Sequence, residues 1–235
     1  MSRGGSGAVY DAERDSASLA ALRVSLEGDA VAQVAALPAD VAEVWSRYAA
    51  LAAQWAARTD LTAARSAGAL LEVLFVDALA LLSARLIDDG AVLMDVGAGA
   101  GAPTLPIVLA RPDLRAILIE PRRRRVAFLR TAVGALALER RVRVVEGRAE
   151  PGGRVPEGAG ALGRPTLALS RATFAPERWR ALGAALAPEV LVLTSGEALP
   201  DESPRRACRY RVPSSGAPRW AGVYGAGLSA SSSTG

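Results

Sequence analysis

The chain has 235 residues and a formal net charge of +4, and its 28 basic residues are all arginine. This length accommodates one large domain, or a domain with a helical extension. The chain has no histidine and one cysteine, Cys208, which excludes an internal disulfide, a Cys/His zinc site and histidine general-base catalysis. The net positive charge favours a polyanionic partner, and every cation is an arginine, whose planar guanidinium suits phosphate.

The N-terminal part of the chain is predicted to be helical. Residues 1–15 are expected to form a disordered tail and residues 16–90 a helical extension. Apolar residues recur at three- and four-residue spacing from Val41 to Trp55, which is typical of an amphipathic helix. A second helix is expected over about residues 69–86.

That second stretch is apolar, but charged residues interrupt it at Glu72, Asp77 and Arg85. The pattern therefore predicts a core helix and not a membrane span. The first residues, Met1 to Gly5, lead into polar sequence without the pattern of a signal peptide. We expect a cytoplasmic monomer without a membrane or metal partner.

From residue 91 onward, short apolar runs alternate with helical stretches, which predicts parallel strands joined by helical crossovers. The predicted elements are strands at 91–96, 115–120, 142–146, 166–170 and 189–194 and helices at 104–110, 122–136 and 176–186. Two final strands, 208–212 and 219–224, follow without a helix and are expected to pair as an antiparallel edge hairpin. Residues 91–225 are thus predicted to be an α/β domain with a mostly parallel seven-stranded sheet, followed by a disordered tail over 226–235.

A glycine-rich loop follows the first predicted strand, with Asp95 ending the apolar run and glycines at Gly97, Gly99 and Gly101. Such a loop lets backbone N–H groups approach a ligand closely. The next strand ends in a second acid, Glu120. A nucleoside-type cofactor needs both features, since a carboxylate can accept hydrogen bonds from ribose hydroxyls.

Two classes of cofactor are compatible with this loop, a dinucleotide and S-adenosylmethionine. Gly97, Gly99 and Ala102 satisfy the dinucleotide fingerprint, but Pro103 and Pro106 follow at once and disfavour a helix that begins within the loop. A carboxylate beside a pyrophosphate would be repulsive. Beside the sulfonium and amino groups of S-adenosylmethionine it would be attractive, or it would order the backbone amides. The pattern favours S-adenosylmethionine over a nicotinamide dinucleotide.

Six short motifs then occur in a fixed order along the chain. They are Asp60–Ala63, Asp77–Leu79, Asp95–Pro106, Arg124–Leu129, Gly147–Glu150 and Ser170–Ala172. In order and content they resemble the family of 16S ribosomal RNA guanine-N7 methyltransferases (glucose-inhibited division protein B). The resemblance covers about Val41 to Gly196, and the Gly-Arg-Ala-Glu and Ser-Arg-Ala motifs are its most specific part.

The resemblance implies a Rossmann-like class I S-adenosylmethionine-dependent methyltransferase, acting on N7 of a guanine in 16S ribosomal RNA or the small ribosomal subunit. By this resemblance Glu120 binds ribose, Ala149 and Glu150 border the adenine, and Arg171 faces the cofactor and the target base. Arg171 is the positioning candidate, and no residue is assigned a direct catalytic role. The predicted cofactor-binding residues are Asp95, Gly97, Gly99, Gly101, Ala102, Glu120, Ala149, Glu150 and Arg171.

Several assignments have a structural alternative. The run Arg122, Arg123, Arg124 and Arg125 either grips RNA phosphates or forms a solvated first helical turn. Asp77 is interpreted as a buried acid paired with an arginine, in preference to a catalytic group. The glycine- and proline-rich stretch 151–165 is interpreted as a surface loop.

Two departures from the family pattern concern the methyl acceptor. Family members usually carry Arg-His where this chain has Val73-Leu74, and Lys-Gly where it has Ser195-Gly196. The alternatives are therefore a methyltransferase of the same fold with another acceptor, or a non-catalytic RNA-binding relative. Guanine N7 carries a free lone pair, so its methylation needs positioning and not a base, which is compatible with a chain without histidine.

Overall fold

The computed structural model describes residues 39–196 and 203–225, and within them it contains five helices and seven strands. The helices are α1 (Ala39–Ala56), α2 (Ala67–Ser83), α3 (Thr104–Ala110), α4 (Arg123–Ala135) and α5 (Pro176–Ala184). The strands are β1 (Val92–Val96), β2 (Arg115–Glu120), β3 (Val142–Glu146), β4 (Leu167–Ser170), β5 (Glu189–Ser195), β6 (Arg206–Arg211) and β7 (Pro218–Gly225). The alternation predicted from residue 91 onward is confirmed. The predicted tails, 1–15 and 226–235, and the predicted helix before residue 39 lie outside the described residues.

All seven strands form one sheet in the order β3-β2-β1-β4-β5-β7-β6. The pairs from β3 to β5 are parallel, and β7 is antiparallel to both β5 and β6. The predicted sheet with its edge hairpin is confirmed, and β6 is the strand at the edge. The strand order reverses between β1 and β4, which is where open α/β sheets bind ligands beyond the carboxyl ends of their strands.

Successive residues of β1 point to opposite faces of the sheet, and each face has its own hydrophobic core. Leu93 belongs to the larger core, which also contains Trp45 of α1 and Phe75 of α2. Met94 belongs to the smaller core with Trp179 of α5. The helices predicted as an N-terminal extension therefore share a core with the sheet.

Helix α1 is fastened to the segment that follows β1 by two buried side chains. The Trp45 Nε1–H donates to the Pro106 carbonyl at 3.0 Å, and the Tyr48 hydroxyl donates to the Ala100 carbonyl at 2.6 Å. The Trp45 ring also stacks on Phe75 with ring centroids 4.7 Å apart. These contacts fix the glycine loop against the helical layer.

Within the described ranges, none of the helices combines the length and the apolar composition that crossing a bilayer requires.

Candidate active site

A cleft of about 570 Å³ opens at the carboxyl edge of the sheet, beside the reversal of strand order. The glycine loop, helix α2, the ends of β4 and β5 and the edge hairpin contribute its walls. Four of the predicted cofactor-binding residues line it, namely Gly97, Gly99, Ala102 and Arg171. These four residues, predicted from the sequence, therefore lie along one side of the cleft.

The other five predicted cofactor-binding residues do not line this cleft. Asp95 and Glu120 are buried, at 1% and 2% exposure, and Gly101 is enclosed by packing. Ala149 and Glu150 follow β3, which lies two strands away from β1. Their binding roles stay predictions.

The three glycines of the loop have different surroundings, although all have a positive φ. A Cβ at Gly97 would lie 2.5 Å from the hydroxyl oxygen of Thr173, and one at Gly101 would lie 2.5 Å from Leu105 Cδ1. At Gly99 the nearest atoms would be 3.8 Å away. Gly97 and Gly101 are thus needed for packing within the protein, whereas Gly99 lines the cleft and has room for a Cβ, which would be in van der Waals contact with Arg125 Nη1.

Glu120 joins the glycine loop to the turn after β2. One carboxylate oxygen accepts from the Gly99 N–H and the other from the Arg122 N–H, each at 2.9 Å. A carboxylate has about four lone-pair sites, so two remain for other donors. Glu120 therefore fixes the conformation of the glycine loop at Gly99, the glycine that has room beside it in the cleft.

Asp95 contacts a different group from the one the sequence suggested. Its Oδ2 accepts from the Thr104 hydroxyl at 2.6 Å, and no loop amide is bonded to its side chain among the described hydrogen bonds. Of the two roles expected for Asp95, the ordering of loop amides is not seen among the described residues, because the side chain turns towards the start of α3, and the attraction to the sulfonium and amino groups of the cofactor stays a prediction. Burial raises the pKa of the Asp95 carboxyl to about 7, against the opposing effects of Thr104 and Arg171.

The interpretation of Asp77 as a structural acid paired with arginine is confirmed. Oδ2 of Asp77 binds Arg171 at 3.1 Å, and Oδ1 binds Arg219 at 2.8 Å and the Tyr210 hydroxyl at 2.9 Å. Burial opposes ionisation of Asp77, but the charges of the two arginines and the hydrogen bonds outweigh it and lower the pKa. This cluster connects α2, the end of β4 and the edge hairpin along one side of the cleft.

The arginine run at the start of α4 is divided between two environments. Arg122, Arg123 and Arg124 are exposed, and Arg123 pairs with Glu146 at 3.1 Å. Arg125 is half-buried and lines the cleft, where its Nη2 donates to the Asp60 carbonyl at 3.3 Å. Its Nε is buried without a hydrogen-bond partner among the described residues. The four residues therefore do not form one surface.

Both positions at which the chain departs from the family pattern contribute to the cleft. Val73 and Ser195 line it from α2 and from the end of β5. The Val73 carbonyl accepts from Arg171 Nη1, so Arg171 is fixed by the backbone of α2 as well as by Asp77. The departures concern the half of the cleft away from the glycine loop.

Comparison with known proteins places the chain in a family. The model described as rRNA small subunit methyltransferase G matches residues 42–175, more than half of the chain. Two curated relatives named ribosomal RNA small subunit methyltransferase G are 46% identical. The relative from Frankia alni matches over 105 residues, which is 45% of this chain and 37% of the relative, and that from Mycobacterium leprae over 93 residues, which is 38% and 37%.

The matched part of the chain thus spans little more than a third of the length of these curated relatives. Among solved structures, the chain is similar to an RNA methyltransferase from Salinibacter ruber in complex with S-adenosyl-L-homocysteine. The TM-score is 0.46, with 16% identity over 64% of this chain and 90% of that chain. A similarity of this size carries no conclusion about this chain. Because the family model matches more than half of the chain, the chain belongs to the family of rRNA small subunit methyltransferase G.

Proposed function

We propose that the chain is an S-adenosylmethionine-dependent methyltransferase that methylates N7 of a guanine in 16S ribosomal RNA, in the cytoplasm. The observation that carries the proposal is the overlap between the family match and the cleft. The matched residues, 42–175, include Gly97, Gly99 and Arg171, which line the cleft, and Glu120, which bonds to the glycine loop at Gly99. S-adenosylmethionine, when bound, would supply an electrophilic methyl group on a sulfonium.

The residues around the glycine loop fit this cofactor. Gly99 leaves room at the loop for a ligand, and the Glu120 carboxylate behind it has acceptor sites left for ribose hydroxyls. Arg125 Nε is a buried donor without a partner among the described residues, and a carboxylate of the ligand would provide one. Backbone, carboxylate and guanidinium together suit a nucleoside that carries an amino acid.

The titratable groups of the cleft also support a nitrogen acceptor with a free lone pair. Asp77 is held ionised by two arginines, with a lowered pKa, and is a weak base. Burial raises the pKa of Tyr210 well above its ordinary value, so its hydroxyl stays protonated. Neither Asp77 nor Tyr210 is therefore suited to remove a proton near neutral pH, and the carboxylate of Glu72, which also lines the cleft, accepts two hydrogen bonds from Ser214. Guanine N7 needs no such step, because the enzyme has only to align donor and acceptor.

Alanine substitutions in the glycine loop should separate ligand binding from packing. Gly99→Ala is expected to cost about 1 kcal/mol of stability, from its positive φ, but to weaken S-adenosylmethionine binding roughly tenfold or more by filling open space. Gly101→Ala is expected to cost about 2–3 kcal/mol, because the new Cβ meets Leu105. Thermal melting and calorimetry measure the two effects. If both variants lost affinity for S-adenosylmethionine in the same proportion to their loss of stability, Gly99 would not be a ligand-binding position.

Glu120→Gln is expected to weaken S-adenosylmethionine binding by roughly 10–100-fold, since an amide cannot accept from both backbone N–H groups and from ribose. Isothermal titration calorimetry measures the affinity. Glu146→Gln is the matched control, because Glu146 is the register partner of Glu120 on β3 and is exposed. Unchanged affinity in Glu120→Gln, or heat with NAD and none with S-adenosylmethionine, would contradict the proposed donor site.

The exposed part of the arginine run is proposed to contact RNA phosphates. The double variant Arg122→Ala, Arg124→Ala is expected to weaken RNA binding and to lower the slope of log affinity against log salt by roughly one for each arginine that binds a phosphate in the wild type. Arg115→Ala is the control, because Arg115 is exposed at the opposite end of β2. Filter binding over a salt series provides the slopes. If the wild type and the double variant have the same slope, the arginine run is a solvated first helical turn and does not contact RNA.

The acceptor is tested in cells. Primer extension or mass mapping of 16S ribosomal RNA from a strain without this gene is expected to show the loss of an N7-methylguanine, and the gene in trans is expected to restore it. If the methylation is unchanged while the protein still binds S-adenosylmethionine, the acceptor is a different molecule. If RNA is bound but no methyl group is transferred, the chain is a non-catalytic relative.

A further inference from the structure

The half of the cleft beyond Arg171 has no part in the proposed donor site. Apart from Arg171, which follows β4, the predicted donor residues lie at the ends of β1, β2 and β3, on one side of the reversal in strand order, and β5, β7 and β6 lie on the other side. A methyl acceptor that shares this cleft must therefore lie against the second half. The charged and polar groups there include Arg171, Arg219 and Ser195.

Arg219 reaches the cleft from the strand next to β5. Ser195 and Arg219 are direct cross-strand partners, so their side chains stand on the same face of the sheet, with Cβ atoms about 5 Å apart. The Arg219 side chain is 34% exposed and directs one N–H to Asp77. A guanidinium has five N–H donors, and among the described residues only Asp77 and Tyr210 bond to Arg219. Donors therefore remain for a ligand.

The cluster of Asp77 with its two arginines carries more positive than negative charge. Asp77 is a single carboxylate between two guanidiniums, at 3.1 Å from Arg171 and 2.8 Å from Arg219. The other carboxylate that lines the cleft, Glu72, accepts from the Ser214 N–H and hydroxyl, each at 2.7 Å. Over this half of the cleft the two carboxylates balance the two arginines, but Glu72 bonds to Ser214 and not to an arginine, so the cluster around Asp77 itself carries one excess positive charge.

We propose that Arg219, with Arg171 and the Ser195 hydroxyl, forms an oxyanion subsite that binds a phosphate group of the target nucleotide. The guanidinium fork matches the tetrahedral oxygens of a phosphate and is already held in place by Asp77. Phosphate contacts fix the register of a nucleic acid, so the subsite would set the distance between target base and donor. The inference rests on the proposed function, because it takes the acceptor to be a nucleotide.

The test compares nucleoside with nucleotide. Guanosine, guanosine 5′-monophosphate and guanosine 3′-monophosphate are titrated into the full-length protein saturated with S-adenosylhomocysteine, and affinities are measured by NMR. At least one monophosphate is expected to bind roughly tenfold more tightly than guanosine. The two monophosphates distinguish a phosphate on the 5′ side of the target from one on the 3′ side.

Three variants locate the effect. Arg219→Gln is expected to reduce the preference for the monophosphate to less than about twofold. Ser195→Asp should also reduce the preference, because it places a carboxylate opposite Arg219 and leaves the bonds between Arg219 and Asp77 in place. This variant keeps the test valid if Arg219→Gln fails to fold. Arg209→Gln removes the same charge from the same hairpin at an exposed position that does not line the cleft, and is expected to keep the preference.

Equal binding of guanosine and both monophosphates by the wild type, including the case in which none binds, overturns the subsite. A preference that survives in both Arg219→Gln and Ser195→Asp overturns it as well. If Arg219→Gln weakens S-adenosylhomocysteine and leaves the nucleotide preference intact, the anion is the carboxylate of the donor and the proposal is wrong. Calorimetry with S-adenosylhomocysteine alone tests the donor site separately, so failure of the proposed function is distinguished from failure of the subsite.

Discussion

Replacing Asp77 with asparagine is expected to lower the free energy of unfolding by about 3 kcal/mol. The substitution keeps the shape of the side chain but leaves Arg171 and Arg219 without a compensating charge and replaces one of the two acceptor oxygens of the cluster with an NH2 donor. The value lies at the lower end of the range for broken buried pairs, because the two arginine side chains are 22% and 34% exposed and stay in contact with water. Urea unfolding at neutral pH measures it.

Glu72→Gln is the matched control on the same helix. Glu72 also joins α2 to the hairpin, through Ser214, but these bonds are solvent-exposed and their loss is expected to cost less than about 1 kcal/mol. If Asp77→Asn were no more destabilising than Glu72→Gln, the cluster would not hold the hairpin against α2. The second half of the cleft would then lack the fixed arginines on which the phosphate subsite depends.

Asp95→Asn is expected to make the protein's stability less sensitive to pH. Burial raises the pKa of Asp95 from 3.8 to about 7 in the folded protein. Below about pH 4 both states hold the proton, and between about pH 4 and 7 only the folded state does. The wild type therefore loses stability as pH rises through this window, and above it the cost of the buried charge is constant, on the order of 4 kcal/mol.

Asparagine does not titrate, so its stability relative to the wild type should improve by roughly 2–3 kcal/mol between pH 5 and pH 8. Urea unfolding at the two pH values measures the change, whatever the substitution costs at pH 5. Asp113→Asn is the control. A hydrogen bond from Arg111 lowers the pKa of Asp113, so Asp113 is ionised in both states across this window and its variant should show a constant difference. A constant difference for Asp95→Asn as well would mean that Asp95 is not a buried carboxyl with a raised pKa.

The parallel part of the sheet could be predicted because its signals are local. A buried parallel strand is a short apolar run, and β1, β2 and β4 are each followed by a helix that begins at or directly after a proline or arginine residue. The arrangement of the hairpin could not be predicted in the same way. β7 lies next to β5, and β6 forms the edge. This order depends on contacts between distant residues, such as the hydrogen bond from the Tyr210 hydroxyl to Asp77 of α2.

The candidate site could be predicted where one segment of the chain builds it. Alternating glycines after a strand mark a loop, but they do not reveal that Thr173 covers Gly97 while Gly99 stays open. Arg219 is remote in sequence from Asp77, and nothing in the local pattern of the hairpin distinguishes it from the other arginines there. Such long-range pairings had to come from the three-dimensional structure.

The protein is proposed to transfer a methyl group from S-adenosylmethionine to guanine N7 of 16S ribosomal RNA, and this transfer can be measured directly. Purified protein is incubated with methyl-labelled S-adenosylmethionine and small ribosomal subunits from a strain without this gene, and the label is located by mass spectrometry of nuclease fragments. We expect the label on N7 of a guanine, with transfer reduced in Glu120→Gln and retained in Glu146→Gln. Label on another atom, or no transfer by a wild-type protein that binds the cofactor, would contradict the account.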